Sequence, residues 1–262
     1  MAKHKLTLSI HPNKLESFIS RLSDLAKVSD TIKLKIDHDD ILMYAIVMAG
    51  DYNSEVIAFK NHTIKTLEYF KTHQFDHTID FIIDGAKTFI RKLSFYLDCE
   101  SHIHLHYMDN PDSDGTMSAA LIDITSDDLS ITVNSGDPKI MRNLSKQKLE
   151  KMLNTDLAEW DFSMASTKFE QIKKLSSIEF DTKELYIKQN SGKINASELG
   201  KWKLFIGDAV DDEKREVIFS KKYLSSIAVT EVIKFWVFER FLLIVNSLEN
   251  TNLMISFENS FE

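Results

Sequence analysis

The chain is built twice, and that constrains its fold more than any other feature. The segment SIHPNKLESF at 9–18 and the segment SMASTKFEQI at 163–172 align without gaps. Ser9 falls on Ser163, Lys14 on Lys168, Leu15 on Phe169, Glu16 on Glu170 and Phe18 on Ile172. DTIKLKI at 30–36 then falls on DTKELYI at 181–187, and FIID at 81–84 on VIFS at 217–220. Each of the last pair is an apolar strand stopped by a residue able to cap a helix. Three matches in one order point to an internal duplication. The 262 residues are enough for two small hydrophobic cores.

The secondary-structure signals repeat with the same order. In the first half a strand at 5–10 leads to a helix at 12–27, with Pro12 in its first turn and Leu15, Phe18, Ile19, Leu22 and Leu25 at helical spacing. Strands are expected near 31–37, 41–48 and 54–60, a short ambiguous segment at 62–72, and a strand at 77–83 entering a helix at 84–97. Strands at 101–108, 117–124 and 128–134 follow. The second half reads strand 159–164, helix 166–178, strands 184–189, 193–199, 201–207 and 216–219, helix 220–229, and strands 232–239, 241–247 and 252–258. Each half is therefore βαββββαβββ. The expected class is α+β with mostly antiparallel strands. Expected boundaries are 1–134 for the first domain, 135–156 for a connector and 157–262 for the second domain.

The net charge of −8 argues naively against nucleic acid. Its distribution argues the other way. The four expected helices together carry +7, leaving −15 for the rest of the chain. Their polar faces add small hydroxyls at Ser17, Ser20, Ser94, Ser177 and Ser225. Glu suits helices as well as Lys does, yet it is nearly missing from these four. Such faces suit phosphates. They lack the bidentate and aromatic groups that base reading and stacking require. The candidate DNA-contacting residues are Lys14, Arg21, Lys87, Arg91, Lys168, Lys174, Lys221 and Lys222.

Other chemistry is poorly supported. A single cysteine, Cys99, forbids an intrachain disulfide and fits a reducing cytoplasm. The N-terminus has no signal-peptide core, and no apolar run is long enough to span a membrane. Walker A, GxSxG and GxGxxG patterns are absent from the sequence. His102, His104 and His106 would share one face of a strand. Three such imidazoles with an open position could hold zinc, so a metal-dependent hydrolase stands as an alternative. A solvated strand face with Ile103 and Leu105 turned inward explains the same pattern. The turn at 109–115 (DNPDSDG) lacks the final bidentate Glu of a calcium loop. No catalytic residue, metal or cofactor is expected.

The run DFSMASTKFEQIKKLSSIEFDTKELYIKQNSGKI, then KWKLFIGD and EVIFSKKYLSSI, resembles the second domain of the DNA sliding clamp of T4-like bacteriophages. The strand ending Ile206-Gly207-Asp208 is its most distinctive piece. The resemblance covers about residues 155–258, and the first half matches by pattern only. The same family includes proliferating cell nuclear antigen. The resemblance implies a non-enzymatic processivity factor whose sheets lie outside and whose basic helices lie inside. It implies a homotrimeric ring of six domains around duplex DNA, with twelve helices lining the hole. It also implies loading by an ATP-driven clamp loader, tethering of the replicative polymerase, and action in the cytoplasm of a host cell. A monomeric clamp-fold processivity factor is the closest alternative.

Two further surfaces are expected. The strand with Trp202, Leu204 and Ile206 should pair with strand 117–124 or 128–134 of another subunit, because edge strands invite pairing. A pocket for partner peptides is expected around Ile140, Met141, Leu144, Phe257 and Phe261, where apolar residues fall outside regular elements. The opposing reading is that Ile140 and Leu144 simply pack the connector onto the sheets.

Overall fold

A computed structural model describes residues 4–49, 55–97, 99–107, 115–137, 141, 144, 146–178, 183–227, 231–246 and 251–257. The chain divides into two compact units. One comprises 1–46 with 60–143, and the other 47–59 with 144–262.

The first unit contains β1 (His4–Ile10), α1 (Leu15–Leu25), β2 (Thr31–Ile36), β3 (Asp40–Ala49), β4 (Glu55–Lys65), α2 (Thr66–Tyr69), β5 (Phe70–Lys71), β6 (Ile79–Asp84), α3 (Ala86–Ser94), β7 (Ser101–Tyr107), β8 (Met117–Thr125) and β9 (Ser130–Asn134). Residues 47–59 of β3 and β4 cluster with the second unit. The strand order runs β4-β3-β2-β6 and β9-β8-β7-β1-β5. The described pairings are antiparallel, except where β6 meets β8 in parallel at Ile79–Met117. Along β1 the pleat alternates, with Leu6, Leu8 and Ile10 buried between Lys5, Thr7 and Ser9. Leu15, Phe18, Leu22 and Leu25 form the buried stripe of α1, at the spacing of one helix face. Full burial of each such side chain is worth about 1.5–3 kcal/mol. Gly85 starts α3 at φ 79°. That left-handed conformation suits glycine and lets the chain turn from β6 straight into the helix.

The second unit repeats the plan. It has β10 (Trp160–Ala165), α5 (Ser166–Ile178), β11 (Glu184–Asn190), β12 (Lys193–Glu198), β13 (Trp202–Asp208), β14 (Arg215–Ser220), a 3-10 helix (Lys221–Ser226), β15 (Val232–Val237), β16 (Phe241–Asn246) and β17 (Thr251–Ser256). A short α4 (Lys146–Met152) precedes them, inside the expected connector. One sheet is ordered β13-β12-β11-β14 and the other β10-β15-β16-β17. Within this unit β17 also lies beside β4, where the Ser256 hydroxyl donates to the Val56 carbonyl. Ser191 (φ 52°) and Gly192 (φ 69°) turn β11 into β12 through a two-residue hairpin loop of left-handed conformation.

The duplication holds at the level of burial. Leu15 and Phe169 are each 1% exposed, Phe18 and Ile172 are both buried, and so are Leu34 with Leu185 and Phe81 with Val217. The sequence order βαββββαβββ is present in both halves, with α2 and β5 added in the first. Three expectations are corrected. The helix expected at 12–27 is α-helical only from Leu15 and opens with a 3-10 turn at Pro12–Lys14. The strand expected to end at 60 continues to Lys65. The helix expected at 220–229 is a 3-10 helix of six residues.

Candidate nucleic-acid interface

In the first unit α1 packs beside α3, and in the second α5 packs beside the 3-10 helix. Each helix buries its apolar stripe and leaves a polar face to solvent. On α3 the exposed positions are Lys87, Thr88, Arg91 and Ser94. Lys87 and Arg91 are four residues apart, so they share one face. On α5 the exposed positions are Thr167, Gln171, Lys174, Ser177 and Ile178, with Lys168 half-buried. Lys222 and Ser225 are exposed on the 3-10 helix. Among the described residues, Lys87, Arg91, Lys168, Lys174 and Lys222 form no ion pair. Lys222 rests its ammonium 5.5 Å from the Tyr223 ring centroid. These five keep their charge available to a polyanion.

The other three expected contacts are engaged. Lys14 pairs with Glu68 at 2.6 Å. That hydrogen bond raises the lysine pKa and keeps the ammonium charged. Arg21 donates to the Tyr69 hydroxyl at 3.1 Å and lies 3.2 Å from His62 Nδ1. Tyr69 is in turn held by Ser17 at 2.9 Å. Lys221 has a side chain only 13% exposed and pairs with fully buried Glu198 at 3.2 Å.

Behind α1 lies a polar cluster that sequence reasoning missed. Lys60, Asn61 and His62 are all buried in β4. Lys60 Nζ is 2.5 Å from Asp24 Oδ2, and His62 Nε2 is 2.8 Å from the same oxygen. Since arginine only donates, the imidazole accepts at Nδ1 and carries its proton on Nε2. Burial pushes the Asp24 carboxyl up, but the His62 hydrogen bond and the Lys60 charge outweigh it and hold the pKa far below the usual range. Burial also lowers the His62 pKa. The signal was present as the polar triplet Lys60-Asn61-His62 interrupting an apolar strand.

Among the described residues, no group of His, Cys, Asp or Glu is placed to hold a metal ion. His102 hydrogen-bonds Ser9 at 2.7 Å, His104 lies 3.0 Å from Thr7 and 3.1 Å from Thr125, and His106 pairs with Asp123 at 2.8 Å. Ile103 and Leu105 point into the core between them. The residues 109–114 of the acidic turn lie outside the described residues.

Of the expected subunit interface, β13 is an edge strand, with a described neighbour on one side only. Ile206 is buried and Trp202 and Leu204 half-buried, on the side that meets α5 and β10. These side chains therefore face their own unit. The strand offers outward its backbone edge, Lys203 and the 43% exposed Phe205. On the expected partner side, β8 is already paired on both flanks, whereas β9 pairs with β8 alone. Of the expected peptide pocket, Met141 and Leu144 are each 3% exposed and thus core positions. Phe257 is half-buried, its N–H bound to the Arg240 carbonyl at 3.0 Å. Ile140 and Phe261 lie outside the described residues.

No helix among the described residues is long and apolar enough to cross a membrane. No protein-family model matches the sequence, and no curated protein matches it. Solved structures do. The DNA polymerase III β subunit of Pseudomonas aeruginosa superposes with a TM-score of 0.63 at 9% identity, over 97% of this chain and 64% of that one. The β chain of Streptococcus pneumoniae gives 0.64 at 11% identity, over 96% and 64%. The PCNA2–PCNA3 complex of Sulfolobus tokodaii gives 0.56 at 12% identity, over 97% of this chain and 99% of that one. The chain thus spans a little under two thirds of the bacterial β subunits it matches. Its fold is that of the sliding clamps.

Proposed function

We propose that this chain is a non-enzymatic DNA sliding clamp, of the kind used by T4-like bacteriophages. Three copies would close head to tail into a ring around duplex DNA and tether a replicative polymerase. One observation carries the reading. Within the second unit β17 lies beside β4. By the internal repeat, β9 stands in the first half where β17 stands in the second. Likewise β13 occupies the place of β4. A pairing made once inside the chain is thus available a second time between copies, β9 of one to β13 of the next. Two units per copy make six in a three-membered ring.

The helix faces fit a protein that must hold DNA and still move along it. Lysine and arginine contacts to phosphate are non-specific, and tight base contacts would stop sliding. Three copies would place +21 on twelve helices by the sequence count. The acidic remainder disfavours DNA elsewhere on the surface. A clamp loader would open and close the ring in the host cytoplasm. Partner peptides would dock near the connector and the C-terminus, at a place other than the filled positions of Met141 and Leu144.

Sedimentation tests the assembly. A trimer is expected at roughly three times the 30.2 kDa of the chain. A monomer that still binds duplex would favour the monomeric processivity factor. Retention on circular but not linear DNA after loading tests the topological link directly.

A further inference from the structure

Lys221 occupies an unusual place for a basic residue. It opens a six-residue 3-10 helix, longer than such helices normally run. No side chain caps that helix. Its i to i+3 bonds are poorly aligned, so it needs anchoring from outside. Lys221 supplies the anchor. Its N–H donates to the Lys183 carbonyl at 2.9 Å. Its ammonium donates to Glu198 Oε1 at 3.2 Å and to the Ser176 carbonyl at 3.1 Å. Ser176 lies in the last turn of α5, where backbone carbonyls lack helical partners and a cation is favoured. One side chain therefore ties β12, the end of α5 and the 3-10 helix together. The first repeat has no lysine at this place. Extending the FIID–VIFS register by one residue puts Gly85 opposite Lys221, and α3 there is a regular α-helix.

We propose that Lys221 is a positioning residue: its ion pair with Glu198 locks the 3-10 helix onto the end of α5, so that the neighbouring Lys222, and not Lys221, meets phosphate. Lys222 is exposed, and Tyr223 beside it is 2% exposed. A fixed ring under the Lys222 ammonium holds that side chain only as well as the helix itself is held. The consequence for DNA rests on the clamp reading, whereas the lock does not.

Glu198→Gln separates the two roles because it removes no positive charge. Hydrogen–deuterium exchange of the intact protein reads the lock. Glu198→Gln and Lys221→Met should each speed exchange across 221–227 by about tenfold or more, while Lys222→Gln leaves it unchanged. Exchange in Glu198→Gln equal to the parent's would overturn the lock. Anisotropy with a labelled 30-base-pair duplex at rising salt reads the consequence. Each lost phosphate contact lowers the log–log salt slope by about 0.9. Lys222→Gln and Glu198→Gln should each lower it by one such step, and the double variant by no more than one. If Glu198→Gln instead binds DNA as well as or better than the parent while Lys221→Met binds worse, Lys221 touches phosphate itself and the proposal fails. A parent that binds no duplex at all counts against the clamp reading, with exchange still deciding the lock. Should neither single variant at the pair fold, exchange across 221–227 in Lys221→Met/Glu198→Met, which removes both charges together, decides the lock, and parent-like exchange there overturns it.

Discussion

Asp24 accepts a hydrogen bond from His62 across 2.8 Å, joining the last turn of α1 to a strand residue 38 positions away in sequence. Burial holds His62 below its usual pKa of 6.5, so the folded protein binds fewer protons there than the unfolded chain. Stability should then fall as pH drops below about 6.5. The lowered Asp24 pKa adds a second loss once the unfolded carboxyl begins to protonate near pH 4. Melting temperatures between pH 7.5 and 4 will show the decline. His62→Gln should flatten its upper part, and an unchanged profile in that variant would place the titration elsewhere.

Removing Asp24 has a larger expected effect. Lys60 has a side chain 1% exposed, and Asp24 is its counter-charge. Breaking a buried pair by deleting one partner costs about 3–5 kcal/mol. Asp24→Asn should lose about that much in urea unfolding, and a loss under 1 kcal/mol would show that other partners of Lys60 suffice.

Lys87, Arg91 and Lys174 are exposed and outside any described ion pair. Their replacement by alanine should each change stability by less than about 0.5 kcal/mol. Together they should weaken duplex binding and lower its salt slope by roughly 2.7, at 0.9 per contact. A triple variant with the parent's salt dependence would remove these side chains from the DNA face.

The proposed pairing of β9 with β13 between copies can be tested from either side. Leu204→Pro on β13 and Thr132→Pro on β9 each remove a backbone donor from a strand. Either variant should sediment as the monomer while keeping most of its circular dichroism. A fully trimeric Leu204→Pro protein would exclude this interface.

The repeat, the α+β class and the order of elements were legible because they rest on local periodicity and on matched apolar positions. Leu15 and Phe169 are paired by sequence and share the same burial. The division of the helix cations was not legible. Nothing near Lys221 in sequence announces Glu198, 23 residues earlier, and nothing near Arg21 announces Tyr69. Composition counts a lysine identically whether its ammonium faces water or a buried carboxylate. The inward turn of Trp202, Leu204 and Ile206 could be read from alternation, but the side facing α5 is fixed only by tertiary packing.

In the proposed contact β9 of one copy meets β13 of the next, two unlike strands, and that asymmetry would govern what copies of this protein can build. A pairing between unlike patches is heterologous: each molecule that docks covers one patch and presents the other. Growth by such a contact has no natural end at two copies or at five. It stops without a leftover patch only where the last molecule meets the first. A change that altered the angle between successive copies would leave both strands intact and yet turn closed circles into open helical filaments.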